Sequence, residues 1–523
     1  MIPRVQGSGD GPHTVGRWIR ERAAASPQRI AIDDRGVAVD YATLHARAQR
    51  LAEGLRAAGY GPGQRIATLS GNTADHVVAF FACALAGIAL VPLSWRLTPR
   101  ELAELTRRSQ CALVLIEDEY QALAAAALRS LGDEAPTSTF LGEMGVERAV
   151  PECADPVPAR PVADEDPLLV IFTSGSEAAP KGVVLTHANC FWNNLALSRS
   201  MEMTADDIVL AILPQSHAAA WNVQPLLAWW TGATVVLERS FQPSRVLQLI
   251  EDRGVTQIMG VPTQYRMLHD TPEWATTDLS SLRVVLVGGA TMPEGLAADW
   301  ARRGIRLTQG YGLTEAGPNV FCLPADQLEA YPGAVGRPYS TVHVCLVDPE
   351  IGLQLEGPAT GELWVSGPSV FAEYLGDPEA TARAKTGGWL RTGDLAQRDA
   401  DGVYRIVDRL KEIFVSGGEN VAPAEVEAAL ISHPLISDAA VVAVPDEVWG
   451  ERGVAFITTL GPLSEDEVSE HARMRLAAFK LPVRIVFMHE LPRLSIEKVA
   501  RRELRELATR LMSEKEASDV RSH

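Results

Sequence analysis

The segment Thr173-Ser-Gly-Ser-Glu-Ala-Ala-Pro-Lys-Gly182 directly follows an apolar run, Leu168-Leu-Val-Ile-Phe172, that reads as a strand. A polar loop at a strand end can surround phosphate oxygens with hydroxyls and backbone amides, and Lys181 can compensate their charge. That is nucleotide chemistry, although the same composition also suits a surface turn. It is not the common P-loop: Gly182, rather than serine or threonine, follows Lys181, and the upstream glycine spacing is missing. Glu315 ends a glycine-rich stretch, Gln309-Gly-Tyr-Gly-Leu-Thr-Glu315, and offers the carboxylate oxygens that Mg2+ prefers. Asp394, in Gly388-Trp-Leu-Arg-Thr-Gly-Asp394, is a suitable acceptor for two ribose hydroxyls, and Arg409 could add donors to ribose or phosphate. Taken singly, these residues are equally an exposed acid, a turn cap and a salt-bridge partner.

Such groups need a scaffold that brings strand ends together. Short β-branched runs alternating with helical patterns predict stacked α/β units. Strands are expected at 65–70, 112–116, 208–213, 233–237, 257–261 and 283–287, with an apolar helix around 72–91 interrupted by Asp75 and His76. The Pro-, Ala- and acid-rich stretch 147–166 predicts an exposed connection. After Tyr331 the pattern turns β-rich, with strands at 341–347 and 362–365. Beyond Arg409, helix candidates at 424–430, 465–477 and 498–512 and strands at 439–444 and 455–459 predict a separate small domain.

Composition narrows the partners. The chain has 523 residues, 46% apolar and 22% charged, which is globular rather than disordered. A net charge of −18 argues against a large nucleic-acid footprint while permitting a local basic phosphate pocket. Six dispersed cysteines suggest neither a disulfide scaffold nor a zinc cluster. The expectation is a cytoplasmic protein with no transmembrane segment and no secretory signal.

In combination with Val407-Asp-Arg-Leu-Lys-Glu-Ile413, Ser416-Gly-Gly-Glu-Asn420 and the stretch from Leu491 to Lys498, the loop and the two glycine-rich motifs resemble the adenylate-forming (AMP-binding) superfamily. Within it the chain is most similar to acyl-CoA synthetases and aryl or alkyl carboxylate–CoA ligases, and the ordered motifs span nearly the whole chain. The resemblance implies an N-terminal AMP-binding domain over 1–409, made of stacked α/β subdomains plus a β-rich one. A small mobile α+β C-terminal lid would follow over 410–523.

The resemblance also implies roles. Thr173, Ser174, Gly175, Ser176 and Lys181 would hold ATP phosphates, and Glu315 would hold Mg2+ alongside the hydroxyls of Thr314 and Thr173. Gly289 and Ala290 would lie beside the purine, Tyr311 would stack on it next to Gly312, and Asp394 and Arg409 would bind ribose. His217, in Leu213-Pro-Gln-Ser-His-Ala-Ala-Ala-Trp-Asn222, would gate the acid, in a pocket that also takes in 261–263 and Gly310. Trp221 and Trp192 could shape that pocket or simply pack in a core. Lys498 would be the adenylation lysine, Lys411 the hinge and Gly418 the space for the acceptor's thiol arm. Two departures stand out: Leu494-Ser-Ile-Glu497 replaces the usual hydroxyl- and glycine-containing loop, and Glu177-Ala178 replaces a hydroxyl residue and a glycine.

The reaction implied is Mg2+- and ATP-dependent ligation of a small carboxylic acid to coenzyme A through an acyl-adenylate, with release of pyrophosphate and AMP. A carrier-protein thiol, an amine or another small nucleophile is the alternative acceptor. A non-catalytic nucleotide-binding relative is the rival class. A dehydrogenase is disfavoured because there is no strand-associated G-x-G-x-x-G followed by its acidic partner.

Overall fold

The computed structural model describes residues 10–142, 150–173, 180–416, 419–446, 449–493 and 499–521. It divides into two compact units, Met1–Val344 with Val365–Arg391, and Cys345–Trp364 with Thr392–His523. The division points fall within or beside strands, so the chain passes between the units three times.

The first unit holds two large sheets. One orders the strands Glu373–Tyr374, Lys181–Thr186, Pro167–Thr173, Ala89–Leu93, Arg65–Leu69, Leu113–Ile116 and Thr137–Phe140. Its centre is parallel. Helices cover both faces of such a sheet, which explains why Ala89–Leu93 is apolar and buried at every position. The crossover helix Ala74–Ala86 is buried throughout except at Asp75, which pairs with Arg47. Thr73 caps its start by accepting from the His76 N–H, and Gly87, at φ +74°, ends it in the left-handed conformation.

The second sheet orders nine strands: Arg337–Pro338, Phe321–Leu323, Leu307–Tyr311, Val284–Val287, Gln257–Gly260, Ile208–Ala211, Thr234–Leu237, Ile30–Asp34 and Val37–Asp40. The run from Leu307–Tyr311 to Ile30–Asp34 is parallel, which places the strand C-termini along one edge. The connection expected to be exposed has no regular element over 150–166, yet it is tied down. Cys153 N–H donates to Ala58 C=O at 2.7 Å, Val157 N–H to Gly59 C=O at 2.9 Å, and the Cys153 and Val162 side chains are buried.

In the second unit the long strands Ile436–Asp446 and Gly450–Thr459 form an antiparallel pair. One face packs on the helices Pro423–Ile431 and Glu465–Arg473 through Val426, Leu430 and Val468. The other face packs on the helix Arg501–Arg521 through Leu504 and Ala508. Earlier in this unit Trp389–Arg398 pairs antiparallel with Tyr404–Arg409. Among the described residues no helix is long and apolar enough to cross a membrane, and all six cysteines are free thiols. The architecture is the expected α/β one, with a large multi-subdomain region and a smaller α+β domain.

Two buried histidines make the first unit acid-sensitive. Burial pushes both His76 and His187 down to about 4, although nearby Asp166, Asp164 and Asp10 pull His187 back up. The His187 Nδ1 accepts from the Val15 N–H at 3.1 Å, as a neutral ring does. The folded state therefore binds fewer protons than the unfolded chain between pH 4 and pH 6.5. Stability falls as pH drops through that window, by about 1.4 kcal/mol per pH unit for each ring. Denaturant titrations of wild type and His187→Asn at pH 7 and pH 5 test this. The variant should lose less stability on acidification, and parallel losses would refute the assignment to His187.

Candidate active site

Thr173 ends one strand and Lys181 begins the next, and the two are register partners across a hairpin. Ser174, Gly175, Ser176, Glu177 and Ala178, at its tip, lie outside the described residues. The edge strand Glu373–Tyr374 pairs with the Lys181–Thr186 strand, placing Tyr374 opposite Val183. The Lys181 Nζ lies 5.1 Å from the centre of the Tyr374 ring, a cation–π distance. The hydroxyl of the same tyrosine donates to the Glu315 Oε1 at 2.9 Å. Tyr374 thus joins the phosphate-loop lysine to the candidate metal carboxylate. The sequence reading missed it, and its only signal was a tyrosine beside the β-rich region.

Glu315 sits in a single 3-10 turn, Thr314–Ala316, and its carbonyl accepts from the Phe371 N–H at 2.8 Å. Gly317, at φ +100°, closes the turn. Thr314 and Gly312 are half-buried beside it. Tyr311 ends the preceding strand half-buried, with its ring 5.8 Å from that of Phe321. Gly289, at φ +78°, and the exposed Ala290 follow the strand Val284–Val287. The Gln309 amide braces this turn. Its Nε2 donates to Val287 C=O at 3.3 Å and Ala290 C=O at 3.1 Å, and its Oε1 accepts from the Met292 N–H at 3.0 Å. Gln309 was read only as the first residue of a motif, because nothing in the sequence ties its amide to a segment twenty residues upstream.

His217 is half-buried in a turn where its N–H donates to Pro214 C=O at 3.0 Å. Trp221 is a core residue: it is fully buried, stacks on Phe80 at 4.6 Å and donates its Nε1–H to Gln215 C=O at 2.7 Å. Trp192 is half-buried, edge-on to Phe191 at 5.6 Å.

In the second unit Asp394 and Arg409 are register partners, with Arg409 Nε 2.6 Å from the Asp394 Oδ1. The Asp394 N–H donates to the Thr392 Oγ1 at 3.0 Å. Asp408 accepts from the N–H groups of Arg409 at 2.7 Å and Ala424 at 2.8 Å, and burial pushes its carboxyl up. Lys411 is exposed. Gly418 and Lys498 lie outside the described residues, but Arg493 and Val499, on either side of 494–498, form an antiparallel bridge.

Among the described residues no group of three or more His, Cys, Asp or Glu side chains could hold a metal by itself. The carboxylate of Glu315 fits Mg2+ carried in with nucleotide phosphates, since that ion is commonly held by one or two carboxylates plus phosphate oxygens and water.

A strand-end lysine and a carboxylate that meet on Tyr374, and a braced glycine turn at parallel strand ends, are groups suited to a nucleotide. Residues 19–375 match the family described as AMP-binding enzyme, and residues 425–498 match the AMP-binding enzyme C-terminal domain. A feruloyl-CoA synthase from Amycolatopsis sp is 38% identical over 94% of this chain and 98% of its own. An indoleacetate–CoA ligase from Aromatoleum aromaticum is 35% identical over 95% of this chain and 98% of its own. The structure of o-succinylbenzoate CoA synthetase from Bacillus subtilis, in complex with its acyl-adenylate intermediate, is similar with a TM-score of 0.82 and 29% identity over 93% of this chain and 97% of that one. That of an amide bond synthetase from Marinactinospora thermotolerans has a TM-score of 0.84 and 30% identity over 95% of this chain and 100% of that one. The chain belongs to the AMP-binding enzyme superfamily, in its acyl-CoA and acid–CoA ligase family. It is an AMP-forming ligase that works through an acyl-adenylate.

Proposed function

We propose that the protein joins a small carboxylic acid to coenzyme A, with residues 1–409 as the substrate-binding body and 410–523 as a lid. The observation that carries this reading is the convergence of Lys181 and Glu315 on Tyr374, which pairs a phosphate cation with a carboxylate suited to Mg2+. The acid's carboxylate oxygen attacks the α-phosphorus of ATP, giving acyl-adenylate and pyrophosphate. A thiol then attacks the acyl carbonyl, giving thioester and AMP. Holding the reactants together removes much of the entropic barrier, and fixed charges stabilise what develops.

Lys181, with the loop from Thr173 through Ser174, Gly175 and Ser176, binds phosphate oxygens. Glu315, with Thr314, holds Mg2+, which when bound offsets phosphate charge. Tyr311 stacks on adenine next to Gly312, with Gly289 and Ala290 leaving it room. Asp394 accepts from the ribose hydroxyls and Arg409 supports it, a role in which their mutual ion pair orients the carboxylate. His217 gates the acid. Lys498 serves adenylation, Lys411 is the hinge, and Gly418 admits the acceptor's thiol arm.

The acid class favoured is aryl-substituted. Two of the relatives carry names of aromatic acids, and that likeness is what favours this class. An amine acceptor is the second reading, favoured by the likeness to the amide bond synthetase.

ATP consumption over a panel of aryl-alkenoic, arylacetic and straight-chain acids, with mass detection of products with and without coenzyme A, tests both points. Acyl-CoA from an aryl acid is expected. Adenylate that accumulates with coenzyme A present and is consumed only by amines would sink the thiol reading.

A further inference from the structure

The turn that carries His217 is held from outside its own element. Asn72, in the loop between the strand Arg65–Leu69 and the helix Ala74–Ala86, is 3% exposed. Its Nδ2 donates to Leu213 C=O at 2.9 Å and to Glu238 C=O at 3.0 Å, and its Oδ1 accepts from the Gln215 N–H at 3.0 Å. Both donor hydrogens and the carbonyl of one amide are therefore spent on main-chain groups. Leu213 and Gln215 follow the strand Ile208–Ala211, and Glu238 follows Thr234–Leu237, so this side chain bolts a strand end of one sheet to two strand ends of the other.

The bolt is itself anchored. The Gly71 N–H and the Ser70 hydroxyl donate to the Glu117 Oε2 at 2.9 and 3.0 Å, and the other oxygen of Glu117 pairs with Arg239 at 2.5 Å. On the far side of the turn the indole N–H of Trp221 holds Gln215 C=O. Trp221 cannot move aside, because it is stacked on Phe80 and edge-on to His76 at 5.4 Å. The main chain of Gln215 is thus held at its N–H by Asn72 and at its carbonyl by Trp221, two residues before His217.

We propose that Asn72 is a positioning residue for acid binding: with Trp221 it fixes the turn 213–217 and so the ring of His217. This rests on the reading of His217 as the acid gate. Asn72 follows a strand of a different sheet from the turn it holds, and its one amide serves three main-chain groups there. Truncation leaves buried donors and acceptors unpaired and frees the turn, whereas Lys181 and Glu315 are both in contact with Tyr374, on a different segment.

Asn72→Ala is expected to raise the KM for the acid about tenfold, to change the KM for ATP less than about twofold, and to speed amide hydrogen exchange over 213–217. Trp221→Phe keeps the ring and removes the N–H, and a smaller rise, about threefold, is expected of it. It decides the matter if Asn72→Ala does not fold. Combined with His217→Ala, the Asn72 effect on acid KM should vanish, because both act through one ring. An unchanged acid KM in the Asn72 and Trp221 variants, unchanged exchange, or full additivity overturns the proposal while His217→Ala still raises KM. If His217→Ala leaves acid KM unaltered, the gate reading itself fails and the proposal falls with it.

Discussion

Lys498→Ala is expected to slow acyl-adenylate formation by two to three orders of magnitude, while thioester formation from supplied acyl-adenylate stays within about threefold of wild type. In adenylation negative charge concentrates between the acid oxygen and the α-phosphate, where a bridging ammonium has most to offer. The second half-reaction breaks the bond so made and needs no such bridge. The loop 494–498 departs from the family pattern, so the anchoring of its ends matters. Ala500 N–H donates to Pro492 C=O at 2.8 Å, Arg493 pairs with Asp438, and Arg501 donates to Val441 C=O at 2.7 Å and to the Glu427 Oε2 at 2.9 Å. Pyrophosphate exchange and single-turnover quench measure the two steps separately, and unchanged exchange would reject the role.

Gly312→Ala is the second large effect. The strand Leu307–Tyr311 turns at Gly312 into the loop that carries Glu315 and returns as Phe321–Leu323, antiparallel to it. A Cβ on Gly312 would lie 1.3 Å from the carbonyl oxygen of Pro318 and 2.5 Å from its carbon. No rotamer relieves a clash between backbone and Cβ, so the loop must open and Glu315 must leave its contact with Tyr374. Destabilisation by about 2–3 kcal/mol and loss of adenylation by about a hundredfold or more are expected. Gly295→Ala is the matched control, since that glycine lies in the helix Glu294–Arg302 with nothing within 4 Å of an added Cβ. It should be neutral or stabilise by up to about 1 kcal/mol. Equal melting and equal pyrophosphate exchange in the two variants would contradict the close approach.

The central strands of the large sheets were legible where burial on both faces leaves continuous β-branched runs. Expected 65–70 is observed as Arg65–Leu69, and 283–287 as Val284–Val287. The apolar helix expected around 72–91 spans only Ala74–Ala86, because Gly87 ends it and Ala89–Leu93 forms a buried strand, while its Asp75 stands in the first turn, where a carboxylate is tolerated and Arg47 meets it. The tethering of 150–166 was not legible: its partners, Ala58 and Gly59, are main-chain groups, and main-chain partners leave no residue-type signature.

The same limit divides the site. The alternating pattern determined the α/β class, and the resemblance of the ordered motifs to the adenylate-forming superfamily implied the acyl-adenylate chemistry. Only the tertiary structure decided that Tyr374 links Lys181 to Glu315, that Gln309 braces the turn at Gly289, that Trp221 is core, and that Asn72 grips the turn before His217. These links depend on distances between segments far apart in the chain. Such distances are set by how sheets and helices pack, and local sequence does not encode them.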